Sequence, residues 1–329
     1  MNPEDDPRPN RRLVLRRLVQ ASAVLGGAAA LAALGRLSPG RFGRLAAART
    51  VPDFRVPADP LRPTVFAAHG ADPALLVRAA LDKLGGVGRF VRPGDRVLIK
   101  PNMAWDRNVE QGANTHPAIV GEVVRQCRAA GARRVVVAEN PVHDASRTSE
   151  RSGIRRATLE AGGELHIPPA APFLAADLHG TVLARWDLLG DLFDADKLIS
   201  LPIVKDHALS RLTCVFKNSY GFLGGTRARL HQDIHNAIAD LGAAIRPTLT
   251  IVDATRVLMR GGPTGGRLED VARRDLLAAG TDPVALDAWS ARVLGVDPAE
   301  IPYIALAEGR GLGRAAAAPA VGGETNVGA

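Results

Sequence analysis

Residues 115–140, "THPAIVGEVVRQCRAAGARRVVVAEN", contain the unit that decides the fold. Thr115 can cap a helix, Pro117 suits its first turn, and Gly131 suits its end. Apolar residues recur between these points at helical spacing, and the three consecutive valines that follow are typical of a buried strand. The stretch therefore predicts a helix that leads directly into a strand ending at Glu139.

The same alternation continues on both sides of this stretch. The strand-like runs are "RVLIKPN" (96–102), "KLISLPIV" (197–204), "TLTIVDAT" (248–255) and "DLLAAG" (275–280), and the helical patterns are "DPALLVRAALDKLG" (72–85), "LHQDIHNAIADLGAAI" (230–245) and "DPVALDAWSARVLG" (282–295). Strands that alternate with helices indicate a parallel sheet with both faces covered. The sequence predicts an α/β fold over residues 63–314, with a mainly parallel sheet, helices on both faces, and one large domain or two intimate halves.

The charge of the chain is uneven along its length. The 329 residues carry a formal net charge of +8, which by itself would favour a nucleic-acid or membrane partner. Residues 1–50, however, hold nine arginines against three acids, and removing these from the totals of 42 and 34 leaves 33 basic and 31 acidic groups. The body of the protein therefore gives no reason to expect nucleic-acid binding.

The N-terminus has the pattern of an export signal. Arg11 and Arg12 begin the segment "RRLVLRR", which resembles the twin-arginine consensus, and a weakly apolar Ala/Gly/Leu run follows. The sequence predicts a signal peptide over residues 1–48, or alternatively an uncleaved membrane anchor. Either places the body in the periplasm or at the cell surface. Segment 49–62, with three prolines, is predicted to be a linker, and the Ala/Gly-rich segment 315–329 a flexible tail.

The cysteine content excludes whole classes of centre. Cys127 and Cys214 are the two cysteines of the chain, and both fall within apolar patterns, so both are predicted to be small buried hydrophobes. Two cysteines cannot form a structural zinc ribbon or hold an iron–sulfur cluster. The sequence therefore predicts no iron–sulfur cluster and leaves the cofactor unknown, with a divalent metal as an alternative.

Polar side chains follow the predicted strands at the points where those strands end. In an open parallel sheet these ends share one edge, and ligands bind beyond it. The apolar run "LTCVFKNSYGFLGG" (212–225) starts soon after the strand of residues 197–204 and is long enough to return the chain to that edge. We therefore expect one polar cleft containing Lys100, Asn102, Glu139, Lys205, His207, Lys217, Asn218, Gly221 and Asp253.

Several of these blocks are similar to a known family. "VLIKPNMAW", "THPAIVGEVVRQCRAAGARRVVVAEN", "LISLPIVKDHALSRLTCVFKNSYGFLGG" and "GTDPVALDAWSARVLG" resemble, in this order, the core blocks of the domain of unknown function 362 family. The resemblance covers roughly residues 62–310 and implies no general activity. Many members carry a twin-arginine leader, and others are fused to ferredoxin-type modules, which this chain's two cysteines cannot supply. A fainter resemblance to the lactate-racemase family, which holds a nickel-pincer cofactor with lysine and histidine, assigns no cofactor here.

Lysine is scarce, and its placement indicates function. Five of the 42 basic residues are lysines, and three of them, Lys100, Lys205 and Lys217, fall in the predicted cleft. A lysine at a strand end can hold an anion as a point charge, or lose its proton through desolvation and act as a base. We assign Lys205, Lys217 and His207 to catalysis, with His207 transferring protons. A solvated strand end or a structural histidine are the alternatives.

A histidine pair offers a separate metal hypothesis. His231 and His235 lie four residues apart in "HQDIH", a spacing that places them on one helical face, and Asp253 would complete the ligand set. Gln232 occupies the place of the glutamate in the zinc-protease motif, which disfavours hydrolytic zinc chemistry. The pair therefore predicts at most a divalent metal site outside that protease class.

These observations favour an exported enzyme that acts on a small anionic or carbonyl-bearing ligand. Lys100, Asn102, Asn218 and Gly221 would bind the ligand, and Glu139 and Asp253 would supply metal ligands or a second acid and base. Cations and carboxylates in one cleft favour catalysis over simple anion binding. The alternatives are a non-catalytic periplasmic or cell-surface binding or accessory protein, and a redox partner of a separate iron–sulfur protein. The substrate, the reaction and the oligomeric state stay open.

Overall fold

The computed structural model describes residues 48–317 and 320–321, so the predicted signal peptide lies outside the described residues except for its last residue. The strands, numbered in chain order, are β1 (Arg49–Thr50), β2 (Val65–His69), β3 (Arg96–Pro101), β4 (Arg134–Ala138), β5 (Glu164–His166), β6 (Phe173–Asp177), β7 (Arg185–Leu189), β8 (Lys197–Leu201), β9 (Ile203–His207), β10 (Arg211–Thr213), β11 (Leu249–Leu258), β12 (Val271–Gly280) and β13 (Ala320–Val321). The α-helices are α1 (Pro73–Lys83), α2 (Pro117–Ala129), α3 (Ala145–Arg151), α4 (Ile154–Glu160), α5 (Asp191–Asp194), α6 (Val215–Asn218), α7 (Ile234–Ala244), α8 (Pro283–Leu294) and α9 (Pro302–Gly309).

The main sheet is mixed, which corrects the prediction of a mainly parallel one. Its strands lie in the order β13-β2-β12-β11-β8-β3-β4-β5, with β9 and β10 attached beside β11. β11, β8, β3, β4 and β5 pair in parallel, but β12 is antiparallel to both β11 and β2. The reason is local: residues 259–270, which join β11 to β12, contain one short 3₁₀ turn and no α-helix, so the chain turns back as a hairpin.

Both faces of the sheet are covered, as the sequence predicted. Side chains along a strand alternate between faces, so Val97 and Ile99 of β3 pack with α1, α2 and α4, whereas Leu98 packs on the opposite side with α7, α8 and α9. A small sheet, β1-β6-β7, also lies on this second side and adds buried residues such as Leu188. The apolar strand runs of the sequence are therefore buried on both faces.

One strand of the sheet is interrupted next to the cleft. Pro202 separates β8 from β9, and both segments run parallel to β11. A proline cannot donate to the ladder, so the strand is interrupted there. β9 then pairs with β10 in a hairpin, with Lys205 opposite Thr213. This arrangement carries the end of the strand beyond the edge at which β3 and β4 stop.

The ends of the described chain take part in the fold. In the predicted linker, β1 pairs with β6, and Phe54 is buried with its carbonyl accepting a hydrogen bond from Thr248. In the predicted tail, the backbone of β13 pairs with β2. The helix predicted after Thr115 begins as expected at Pro117, although the side chain of His116 caps it. Among the described residues, none of the helices has both the length and the apolar character that crossing a bilayer requires.

Candidate functional site

A cavity of about 200 Å³ opens at the edge of the sheet where β3 and β4 end. The predicted cleft residues that line it are Asn102, Glu139, Lys205, His207, Lys217, Asn218 and Gly221. His231, predicted as a metal ligand, lines it as well, and Lys100 lies directly behind Glu139. Loop residues such as Ala104, Val142 and Pro263 form part of its wall. The structure thus brings together most of the side chains expected at one edge.

Lys100 and Glu139 form a buried ion pair at the back of the cavity. The side chains are 1% and 2% exposed, and Lys100 Nζ lies 2.7 Å from Glu139 Oε2. Lys100 also donates to the carbonyl of Pro101 at 2.6 Å and to Asn218 Oδ1 at 3.4 Å. Burial lowers the pKa of Lys100, but the carboxylate opposes that effect. Three acceptors match the three N–H groups of an ammonium, so this lysine is a fixed cation whose charge Glu139 neutralises.

Two amides connect this ion pair to the second lysine. Asn218 Nδ2 donates to the carbonyl of Lys100 at 3.0 Å, and its Oδ1 accepts from Asn102 Nδ2 at 3.3 Å. Asn102 Oδ1 in turn accepts from Lys205 Nζ at 3.0 Å. Lys205 makes a second bond, to the carbonyl of Ala113 at 2.6 Å. A chain of hydrogen bonds therefore fixes the side chains along the floor of the cavity.

The amines of Lys205 and Lys217 lie in poorly solvated positions. Lys205 is 1% exposed, and its burial, assisted by the nearby Lys217, lowers its pKa to about 7. Lys217 is partly buried, and desolvation together with Arg227 lowers its pKa to about 7. The Lys217 ammonium lies over the ring of Tyr220, 3.6 Å from its centroid. Each of these lysines can therefore exchange a proton near neutral pH.

His207 differs from the role that the sequence suggested. Its Nδ1 accepts hydrogen bonds from the backbone N–H groups of Leu209 and Ser210, both at 3.2 Å, which leaves the proton of the neutral ring on Nε2. Burial and the neighbouring Lys217 and Lys205 lower its pKa to about 3. The ring is therefore a neutral N–H donor at ordinary pH. A stable donor can polarise a ligand oxygen but is poorly suited to accept a proton.

Two predicted residues lie away from the cavity. Asp253 is buried, where Oδ2 accepts from the backbone N–H of His116 at 2.7 Å and Oδ1 accepts from Thr255, so it supports the start of α2. His235 stacks on Tyr303, with ring centroids 6.2 Å apart. His231 instead faces His207, at 6.5 Å between centroids. The two histidines therefore have different neighbours, and Asp253 belongs to another part of the core.

The structure gives no support to a metal centre in the described residues. Within residues 48–317, no group of three or more His, Cys, Asp and Glu side chains lies close enough to hold a metal ion. The i, i+4 spacing failed as a guide because the chain changes from a 3₁₀ turn (Arg227–Asp233) to α7 between the two histidines. The helical geometry on which that spacing depends is therefore interrupted.

Arg227 is a cation of the cavity that the sequence reasoning missed. Its guanidinium donates to the carbonyls of Asn140 and Pro141, each at 2.7 Å, and it lines the cavity beside Lys217. The high arginine content of the chain concealed it, although its position just after the "GFLGG" turn was a usable signal. Trp105, Thr213 and Tyr220 also line the cavity, and the hydroxyls of Thr213 and Tyr220 are buried without a hydrogen-bond partner in the described part of the chain.

The short helix α6, which carries Lys217 and Asn218, is fixed by a buried carboxylate of α8. Asp287 of α8 is fully buried and accepts from the backbone N–H groups of Val215 and Phe216, at 2.8 and 3.1 Å. Burial raises the pKa of Asp287 to about 7, and the two N–H donors oppose that rise. These bonds fix the direction in which α6 presents its side chains to the cavity.

Gly221 follows this helix at a point where the backbone passes very close to the ion pair. A Cβ atom there would overlap Glu139 Oε1 and would contact Lys100 Cε. Glycine is therefore required by the close approach and not by its backbone angle, because its φ lies outside the left-handed region.

Comparisons with known proteins give a family match. A family model described as a domain of unknown function (DUF362) matches residues 97–292, a range that includes Lys100, Lys205, Lys217 and Asp287. A thylakoid-associated protein, sll1697, from Synechocystis sp. (strain ATCC 27184 / PCC 6803 / Kazusa) is 31% identical, with 73% of this chain and 76% of that protein covered.

Two solved structures show distant similarity. A crystal structure of a protein from Thermotoga maritima matches 72% of this chain with 13% identity and a TM-score of 0.37. The lactate racemase apoprotein from Thermoanaerobacterium thermosaccharolyticum matches 61% with 12% identity and a TM-score of 0.32. The chain spans 60% and 53% of the lengths of these two proteins. Neither likeness assigns a ligand or an activity to this chain.

Proposed function

The chain belongs to the DUF362 family, and from its cleft we propose that it is an enzyme that binds a small carboxylate or phosphate ligand and acts on it. Lys217 and Arg227 bind the anionic group. Lys205 and His207 face the remainder of the ligand. Lys100, Glu139 and the two amides hold these groups in place.

The charge balance of the cavity carries this proposal. Glu139 is the one carboxylate among the described residues that line the cavity, and Lys100 neutralises it at 2.7 Å. Lys217 and Arg227 have no such partner among the described residues that line the cavity, since Arg227 donates to neutral carbonyls and Lys217 lies over the ring of Tyr220. Desolvated cations without counter-charges raise the free energy of the empty site, and an anion relieves that repulsion. The cavity volume, about 200 Å³, equals that of about seven liquid water molecules and suits a ligand of a few carbon atoms.

The proposal is tested by measuring anion binding directly. Isothermal titration calorimetry with pyruvate, acetate and inorganic phosphate is expected to detect binding by the purified chain. Lys217→Met is expected to weaken it about tenfold or more, because it removes an unpaired, partly desolvated charge. Lys83→Met, at an exposed lysine at the end of α1, is the matched control and should bind like the wild type. Equal binding by Lys217→Met, or no binding of any of the three anions, would refute the proposal.

A purely binding protein is the second candidate, and the lowered pKa values of the lysines argue for chemistry instead. A site selected only for anion affinity gains from lysines that stay charged, whereas burial lowers the pKa of both Lys205 and Lys217 to about 7. A pKa near the working pH is what proton transfer needs.

Export is the remaining part of the proposal and rests on the sequence. The paired Arg11 and Arg12 support the twin-arginine route to the periplasm or cell surface. The relative from Synechocystis is described as thylakoid-associated, which supports a membrane-linked location. Replacing both arginines by lysine should retain the protein in the cytoplasm in a fractionation experiment, and unchanged export of that variant would contradict the proposal.

A further inference from the structure

The three lysines of the site differ in how many hydrogen-bond acceptors surround each Nζ. Lys100 has three: Glu139 Oε2, the carbonyl of Pro101 and Asn218 Oδ1. Lys205 has two among the described residues, the carbonyl of Ala113 at 2.6 Å and Asn102 Oδ1 at 3.0 Å. Lys217 makes no hydrogen bond to the described residues and lies over an aromatic ring. The three amines therefore differ in how many of their N–H groups the described residues satisfy.

Two acceptors satisfy every N–H group of a neutral buried amine. A neutral amine donates two N–H groups and keeps one lone pair, whereas an ammonium donates three and keeps none. Both hydrogens of a neutral Lys205 are used by Ala113 and Asn102, and the residue lines the cavity. The lone pair is then the part of the amine left for a ligand. Lys100, with three acceptors, lacks such a lone pair.

We infer that Lys205 is the general base of the cleft, and that it removes a proton from the carbon next to the carbonyl group of a small 2-oxo carboxylate. This inference rests on the proposed function, because it requires the carboxylate to be bound by Lys217 and Arg227. It goes further in assigning the base, the donor and the class of substrate.

The position of His207 beside Lys205 favours a substrate with a carbonyl oxygen. Lys205 and His207 are two residues apart on β9, so their side chains leave the same face of the strand, and both line the cavity. His207 presents a neutral Nε2–H, because Nδ1 accepts from two backbone N–H groups. A fixed neutral donor beside a base is the arrangement that stabilises the oxygen of an enolate as it forms.

The step balances without a further reagent. The C–H bond breaks, its proton goes to the lone pair of Lys205, and its electron pair forms the carbon–carbon double bond of the enolate. The carbonyl π pair moves to the oxygen, which accepts the hydrogen bond from His207. Return of a proton from Lys205 to the carbon restores the 2-oxo acid. In D₂O the returned particle is a deuteron after the base exchanges with solvent.

The charges around Lys205 agree with this role. Burial, Lys217 and Lys100 lower its pKa to about 7, while Glu139 opposes them. His207 is neutral, so it adds no charge at that pH. A base of this pKa is partly deprotonated at neutral pH.

The same bonds argue against a covalent imine. When Lys205 acts as a base it keeps its bonds to Ala113 and Asn102 throughout and gains a third N–H. An imine nitrogen has at most one hydrogen, so its formation would break at least one of those bonds.

The test is deuterium exchange into pyruvate in D₂O at neutral pH, in a buffer without amines, followed by proton NMR of the methyl signal. The full chain is expected to accelerate the loss of this signal. Lys205→Met should slow the exchange about 100-fold or more while pyruvate still binds within about threefold of wild-type affinity, because Lys205 reacts in its neutral form. Lys83→Met should exchange like the wild type, since its lysine is exposed on α1.

A second variant guards against misfolding of Lys205→Met. Asn102→Asp has nearly the same shape and places a carboxylate beside Lys205 Nζ, so the amine should hold its proton to higher pH. Its exchange at neutral pH should fall about tenfold or more, and its pH–rate profile should move to higher pH. A structural role of Asn102 alone would lower the rate without moving the profile.

Three results would overturn the inference. The first is failure of either variant test: exchange that persists in Lys205→Met, or a pH–rate profile that Asn102→Asp leaves unmoved. The second is a covalent lysine adduct after treatment of the pyruvate complex with borohydride, which would indicate an imine. The third is binding of pyruvate by the wild type without exchange; this leaves the proposed anion site standing and removes the base, whereas failure to bind any anion removes the proposed function itself.

Discussion

Lys217→Met should change how the stability of the protein depends on pH. The folded pKa of Lys217 is about 7, against an ordinary value of 10.5, so between these values the unfolded chain holds a proton that the folded chain has lost. Stability of the wild type therefore rises with pH across this window, and the penalty of the buried charge is fully present below pH 7. Methionine carries no proton, so the variant should lose this part of the dependence.

The size of the effect follows from the shift. One proton difference changes the free energy of unfolding by about 1.4 kcal/mol per pH unit. For a fully buried group with these two pKa values, the change between pH 7 and pH 9 is about 2 kcal/mol. Lys217 is partly exposed, so we expect about 1 kcal/mol after solvent screening. Lys217→Met should also gain stability at pH 6 relative to the wild type.

The measurement is urea unfolding of the wild type, Lys217→Met and Lys83→Met at pH 6, 7, 8 and 9, at constant ionic strength and without carboxylate or phosphate buffers. Titrations far from Lys217 cancel in the difference between the proteins, whereas Lys205, whose pKa Lys217 lowers, titrates in the same window and adds to the difference in the same direction. Lys83→Met should parallel the wild type, because its lysine is exposed. Parallel curves for the wild type and Lys217→Met, or a difference that grows in the opposite direction, would show that Lys217 remains a fully solvated cation and would refute the reasoning.

The remaining predictions concern the ion pair and the cysteines. Gly221→Ala should weaken anion binding about tenfold or more in calorimetry, since the added methyl group overlaps Glu139 Oε1. Binding by this variant with wild-type affinity would contradict the prediction. Lys100→Met should lower the free energy of unfolding by about 3–5 kcal/mol by leaving a buried carboxylate unpaired, and adding Glu139→Gln should recover part of it; no recovery would count against the ion pair. Cys127→Ala and Cys214→Ala, both at buried free thiols, should each cost about 1 kcal/mol and keep anion binding.

The sequence predicted the location of the cleft at the sheet edge better than it predicted the directions of the strands. Apolar runs that end in Lys100, Glu139 and Lys205 located the cleft because buried strands are apolar until they emerge. The antiparallel direction of β12 was not predicted, because an apolar run such as "DLLAAG" does not show which way its strand runs. Only the absence of an α-helix in residues 259–270 distinguishes a hairpin from a crossover connection.

Roles within the cleft depended on contacts that no spacing encodes. Lys100, Lys205 and Lys217 are alike in the sequence, and they differ because three, two and no acceptors among the described residues surround them. His207 became a donor because two backbone N–H groups occupy Nδ1. Asp253 was expected at a strand end, but β11 continues to Leu258, and the carboxylate accepts from the backbone N–H of His116 at the start of α2.

The division of the cleft between floor and walls bears on how this family can diversify. The charged floor comes from strand ends and α6, which the core and Asp287 hold in place. The outer walls come from loop residues such as Ala104, Val142 and Pro263. Loops accept insertions and substitutions far more readily than buried elements do. We therefore expect relatives to bind ligands of different shape through changes in the loops alone, while they keep the same lysines and amides on the floor of the cleft.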